Sequence, residues 1–385
     1  MSDHDEILAA AKNLRSLIVA ARDQGERMRR VPPHIVDALA GAGLLQMYLP
    51  RSMGGPEVPY LTAFQAIEEI SRADGSMGWC ATIATNVSLV MGWLPVEVGR
   101  SLCGHPANFR AAGSIRPQGR AHMVDGGYRV EGQWNFASGI DHANCLYCTC
   151  LVMEGGKLQQ TAQGTPRIRA AWLAPHQATI VDTWDTVGMR GTGSQDFVVE
   201  NVFVPMEHTC FVGDPACEAG PLYDSRRIMV TLNVTTVANS FGIARAAIDA
   251  LISLSDSGSP ISDTPLRDRP LVQSKLGEAE AILKSARAFA IDSFGSLWNV
   301  IGSDGDLTHP IMQARLAIVH GMRESARAVD IVFHAAGTHA IHKRNPIERY
   351  FRDIHVAVQH NAGFLSQYEA AGKVMMGVRP TDIGW

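Results

Sequence analysis

The sequence lacks the features that a membrane, secreted or nucleic-acid-binding protein needs. No stretch approaches about 18 uncharged apolar residues. The nearest, Met77 to Pro95, carries Asn86, Ser88 and two tryptophans, which reads as a buried helix and not as a membrane span. The opening MSDHDEILAAAKNLRSL puts acids ahead of its first apolar residues, unlike a signal peptide, so a cytoplasmic protein is expected. Neither sign of charge is in much excess: 34 basic and 38 acidic residues give a net charge of -4, with no block able to follow a phosphate backbone. Nucleic acid is thereby excluded as an expected partner. Cysteine is scarce and odd in number at seven, which suits a reducing compartment better than a disulfide framework. Three of the seven crowd into CLYCTCLV, but their β-branched and aromatic neighbours read as a strand and no second ligand pair follows, so no metal is expected. Nucleophile elbows, Walker loops and HExxH are all absent, which removes the hydrolase, NTPase and zincin classes those motifs define.

What is present is a chain of 385 residues, 46% of them hydrophobic, enough for two or three cores. From Ile7 to about Cys103 apolar residues recur at spacings of three and four, as in Ile35, Ala38 and Leu39, which predicts a helical region interrupted by Gly54-Gly55-Pro56 and by a turn at 71–75. Between about Asn108 and Pro205 the period becomes two. Asp125-Gly126-Gly127 separates two alternating runs and predicts a hairpin. Helical periodicity returns in long segments at 230–254, 271–300, 310–336 and 346–376, with Pro310 and Pro346 suited to first-turn positions. Four such helices suggest a bundle. The expected domains are 1–106 (α-helical), 107–220 (β) and 221–385 (four-helix bundle), with a cofactor-sized crevice where they meet.

Three segments carry residues suited to chemistry. GQWNFASGID places Trp134 and Phe136 next to Ser138; the aromatics can stack on a flat cofactor while the hydroxyl bonds its edge, or all three can be a strand end with core aromatics and a turn serine. GMRGTGSQDF has no strand–turn–helix context, so it is no dinucleotide fingerprint. Its donors Arg190, Thr192 and Ser194 either line a site or sit in a plain loop. In RDIHVAVQH a continuous helix puts His355 and Gln359 on one face and His360 about 140° from His355.

Taken together and in order, DGSMGWC (74–80), GQWNFASGID, GMRGTGSQDF with VENVFVP, and AAGTHAI followed by NPIERYFRDIHVAVQH resemble the acyl-CoA dehydrogenase superfamily across nearly the full chain. More narrowly they resemble its branch of two-component flavin-dependent hydroxylases. The resemblance implies an α+β fold: an N-terminal α-helical domain, a central β-barrel domain and a C-terminal four-helix bundle, assembled as a homotetramer. Dehydrogenases of this superfamily carry a glutamate base after the arginine–aspartate pair. HVAVQHNAGF stands there instead, with no acid between Asp353 and Glu369.

By the same resemblance His360 stands beside the reactive edge of the flavin, and Ser138 bonds its N5 atom. Trp134 and Phe136 pack on the ring system, with Arg190, Thr192 and Ser194 also at the cofactor. Arg269, Gln273 and Gly337 match the region that reaches a neighbouring subunit's flavin phosphates. Trp79, Asn86 and Ser114 are the substrate-binding candidates. Asn86 and Val87 occupy the neighbourhood in which phenol hydroxylases of this branch place an assisting histidine, which favours an indole or another electron-rich ring over a phenol. The implied enzyme is an oxygenase component that takes reduced FAD or FMN from a separate NAD(P)H:flavin reductase. With O₂, through a C4a-hydroperoxyflavin, it would hydroxylate a small indole-like or phenolic substrate. An acyl-CoA dehydrogenase or oxidase with a relocated base, and an amino-sugar N-oxygenase, are the alternatives on the same fold.

Overall fold

A computed structural model describes residues 3–161, 164–211, 213–258, 264–300 and 305–378; residues 1–2 of the first expected domain and 379–385 of the last lie outside them. The chain begins with five helices, α1 (Asp3–Met28), α2 (Pro33–Gly41), α3 (Tyr60–Ala73), α4 (Gly75–Val90) and α5 (Val96–Cys103). Asp74 caps α4, its carboxylate accepting the Met77 N–H at 2.9 Å. Helix α4 is apolar on nearly every side and almost wholly buried, as the composition of 77–95 requires. Among the described residues no helix is long and apolar enough to cross a membrane.

The strands β1 (Ala111–Val124), β2 (Gly127–Ala137), β3 (Cys145–Glu154), β4 (Lys157–Leu158), β5 (Ile168–Leu173), β6 (Thr179–Val181), β7 (Gln195–Pro205) and β8 (Thr209–Cys210) form one mixed sheet. Its order is β6-β7-β2-β1-β3-β5-β8, with β4 on β3 and only β1–β3 parallel. The expected hairpin joins β1 to β2, and Gly126 takes the positive φ of 75° that its turn demands. The inner face packs on itself as in a barrel, around Val130, Trp134, Leu146, Cys148, Cys150 and Phe197. The three clustered cysteines are free thiols of this strand interior.

Five further helices follow among the described residues: α6 (Ile228–Ser253), α7 (Pro270–Asn299), α8 (Thr308–Ala336), α9 (Pro346–Ala357) and α10 (Ser366–Met375). Helix α6 is the axis, buried against α3 and α4 on one side and α7, α8 and α9 on the other. The one departure from the expected bundle is at its end. The helical period from 346 to 376 is not one helix, because His360 turns extended (φ -63°, ψ 144°) and a short 3-10 turn, Asn361–Gly363, intervenes before α10. His360 therefore lies beyond α9, and its angular position on a continuous helix does not apply.

Candidate active site

Two irregularities of the sheet build the site. Between Ser114 and Pro117 the β1–β3 register slips, so Ile115 and Arg116 bulge outward; Pro117, which cannot donate, follows them. Beside it, the β2–β7 register slips between Trp134 and Ala137, and Phe136 adopts φ +61°. A bulky aromatic residue rarely tolerates that conformation, and such strain concentrates at functional sites. The two bulges are tied together where Asn135 N–H donates to Gln118 Oε1 at 3.2 Å. The result is an aromatic ring held 52% exposed, with the Arg116 guanidinium 5.1 Å from its centroid and Trp184 edge-on at 6.2 Å.

Ser138 follows at once and joins a chain of hydroxyls. Thr192 Oγ donates to the Met189 carbonyl (2.9 Å), so its contact with Ser194 (2.6 Å) requires Ser194 to donate. Ser138 must in turn donate to Ser194 (2.7 Å), while Trp79 Nε1–H, from α4, donates to Ser138 Oγ (3.1 Å). A hydroxyl has one proton and two lone pairs, so Ser138 keeps one lone pair for a further donor. The Met189 carbonyl that anchors the chain also accepts Trp184 Nε1–H at 3.0 Å. Met189 is held from the helical side, since Asp353 of α9 accepts its N–H at 2.6 Å. Burial, with Asp74 nearby, pushes the Asp353 carboxyl up to about 7.

His360 completes the group. Its ring lies edge-on to Trp79 with centroids 5.6 Å apart. Burial, and then the charge of Arg116, lower its pKa to about 4, so it is neutral at physiological pH. Its Nδ1 accepts the Ala362 N–H at 3.3 Å, which leaves the proton on Nε2, a donor without a partner among the described residues. Among the described residues no carboxylate bonds to Trp79, Phe136, Ser138 or His360. Glu369, the next acid after Asp353, lies in the exposed turn of α10, paired with Lys373.

The other sequence candidates are distributed unevenly. Thr192 and Ser194 stand in the hydroxyl chain. Trp134 needs correction: it is fully buried in the sheet core, stacked on Phe197 (5.2 Å), with its N–H spent on the Thr149 carbonyl (2.7 Å). Its indole fills a slot that only glycine permits, since a Cβ on Gly119 would approach it to 2.0 Å. It cannot pack on a cofactor; Phe136 offers the accessible ring. Arg190 turns back to Asp185 and the Thr186 carbonyl, away from Ser138. Asn86 is engaged at both amide ends by Leu232 and Thr235 of α6. Ser114 accepts the Arg116 N–H (3.4 Å) inside the bulge.

Arg269, Gln273 and Gly337 gather elsewhere, at the N-terminus of α7 and the C-terminus of α8. The length of α9, about 18 Å at 1.5 Å per residue, separates that end from His360. A cavity of about 450 Å³ between α1, α6 and residues 339–346 is lined by none of these three and shares no residue with the Ser138 group. Arg116 and Trp184 were not singled out from the sequence. Gly113, Pro117 and Gly119 inside a run that otherwise reads as strand are the available signal for the bulge that presents Arg116.

The residues fit a flavin in its reduced form. An exposed flat ring at Phe136, an acceptor lone pair at Ser138 suited to the N5–H of reduced flavin, and a His360 donor without a partner among the described residues stand at the junction of sheet and bundle. The models for the acyl-CoA dehydrogenase N-terminal and C-terminal domains match residues 2–99 and 234–363. Indole-3-acetate monooxygenase of Pseudomonas putida is 31% identical over 380 residues, covering 97% of this chain and 95% of its own. The flavin-dependent monooxygenase oxygenase subunit HsaA of Mycobacterium tuberculosis is 27% identical over 396 residues, covering 99% and 98%. The crystal structure of that M. tuberculosis monooxygenase superposes with a TM-score of 0.89 at 26% identity, covering 99% of each chain. The chain belongs to the acyl-CoA dehydrogenase superfamily. Within it, this protein is one of the flavin-dependent monooxygenases, an oxidoreductase.

Proposed function

We propose that the protein is the oxygenase component of a two-component system that hydroxylates a small electron-rich aromatic ring, indole-like in preference to phenolic. The observation that carries this reading is a neutral imidazole edge-on to Trp79, whose N–H donates to Ser138, with no carboxylate bonded to any of the three among the described residues. A dehydrogenase needs a base to remove an α-proton; here the group on offer is a donor. The chemistry supplied by bound reduced flavin is activation of O₂ for transfer of one oxygen atom.

The chain's own residues do the rest. Ser138 Oγ, oriented by Trp79 and the hydroxyl chain, accepts the flavin N5–H and retains that proton where it is. Phe136 presents its ring to the isoalloxazine. His360 donates from Nε2 at the reacting edge, and its depressed pKa prevents a cation from forming there. Trp79, half-buried, and Val87, buried, supply apolar surface of α4 that would keep water from the reacting edge. Asn86, an amide engaged at both ends by Leu232 and Thr235, is no base for a phenol's proton. That leaves a ring nucleophilic without deprotonation as the better substrate, a view the similarity to an indole-3-acetate monooxygenase supports.

With no nicotinamide-binding loop in the sequence, the partner is a separate NAD(P)H:flavin reductase. Homotetrameric assembly, with the Arg269, Gln273 and Gly337 end reaching a neighbour's flavin phosphates, belongs to the same reading. Leu271 and Ile341, 71% and 64% exposed at that end, support it. The test is turnover of 3-methylindole and a phenol under ¹⁸O₂ with reductase, NADH and flavin. One labelled oxygen in the ring product, dependent on the reductase, is expected. Anaerobic bleaching of bound oxidised flavin by an acyl-CoA, with no labelled product, overturns the assignment in favour of a dehydrogenase.

A further inference from the structure

The Arg116 guanidinium is the group at the crevice that the hydroxylation just described does not use. Its backbone is fixed on all sides: Ser114 Oγ accepts its N–H, Pro117 follows it, and Gln118 bridges to Asn135 on the neighbouring bulge. Its side chain projects over the exposed Phe136 ring and has no ion pair among the described residues. Most arginines here are paired, including Arg15, Arg29, Arg72, Arg110, Arg287 and Arg352. Burial and then the Arg116 charge lower the His360 pKa, so the guanidinium is within electrostatic reach of that imidazole. A planar cation with no ion pair among the described residues, held over an exposed aromatic ring, matches a carboxylate, which a guanidinium grips through two parallel hydrogen bonds.

We propose that Arg116 determines substrate specificity by pairing with an anionic arm, so that the substrate is an aromatic carboxylic acid with its acid on a short side chain. The inference rests on the proposed aromatic hydroxylation and adds the charge of the substrate to it. Burial of the ring against Trp79 supplies affinity common to charged and neutral rings, and Arg116 supplies the difference between them.

The experiment is anaerobic calorimetry on the full-length protein saturated with reduced FAD or FMN, with indole-3-acetate and 3-methylindole as ligands. Wild type should bind indole-3-acetate the more tightly. Arg116→Met should weaken indole-3-acetate by about 10-fold to 100-fold, the range for a lost charge-assisted contact, and shift 3-methylindole by less than about 3-fold. Arg116→Lys should recover part of the loss, since it keeps the charge without the fork. Equal weakening of both ligands, no weakening of either, or a matching loss of reduced-flavin affinity overturns the proposal, the last by assigning the guanidinium to the cofactor. Labelled-oxygen incorporation into 3-methylindole tests the hydroxylase reading separately, because that substrate has no carboxylate for Arg116 to hold.

Discussion

Trp134 and Phe136 stand two residues apart on β2, and an ideal strand would point them to the same face. One is fully buried and the other is 52% exposed. The difference is the register slip between them and the left-handed backbone at Phe136. Where the ladder is regular the sheet makes a core, and where it breaks the sheet makes a site. Both aromatics looked alike as letters; only the hydrogen-bond register separates their roles.

That contrast is open to attack from both sides. Trp134→Ala should cost about 3–5 kcal/mol of stability, since it empties the Gly119 slot and strands the Thr149 carbonyl, as read by the denaturant midpoint. Little loss there would mean that the sheet interior is not a packed core. On the site side, His360→Ala should lower coupled turnover by about 100-fold and divert oxygen to hydrogen peroxide. Unchanged coupling removes the imidazole from the reaction. Phe136→Ala should leave stability within about 1 kcal/mol while weakening reduced-flavin binding by about tenfold, the reverse of the Trp134 pattern. A large stability loss at Phe136 would erase the distinction.

The smallest effect concerns Asp353, whose carboxyl sits near 7 when folded against an ordinary value of about 3.8. A raised acid binds more protons folded than unfolded, so stability is present at low pH and falls as pH rises through about 7. Wild type should therefore lose about 1 kcal/mol between pH 6 and 7, and little more above pH 8, relative to Asp353→Asn, which keeps an oxygen for the Met189 N–H. Parallel pH curves for the two proteins would show that the carboxyl is already ionised in the fold.

Much of this architecture was legible in the sequence, because periodicity reports on continuous elements. The 3.6-residue pattern marked the helical regions, the period of two marked the sheet, and Asp125-Gly126 marked the hairpin. Ser138, Ser194 and His360 were legible through motif resemblance, and the structure brings their side chains to one junction. What stayed hidden depends on interruptions. A single extended residue at His360 divides what periodicity joins from 346 to 376, since the apolar spacing persists across the break. Arg116 was invisible because what sets it apart is having no ion pair among the described residues, and no pattern of letters records that.

The span from Asp353 to His360 ends with a different consequence. Asp353 grips Met189, whose carbonyl terminates the hydroxyl chain, and His360 hangs a few residues further along the same stretch. Acceptor and donor, contributed by separate layers of the molecule, are thus gauged against one another by a single short tether. Transplanting the sheet alone from a relative would carry the serine but lose its calibration. Chimeras in this family should keep their chemistry only when the 189–194 turn and the 353–360 segment travel as a pair.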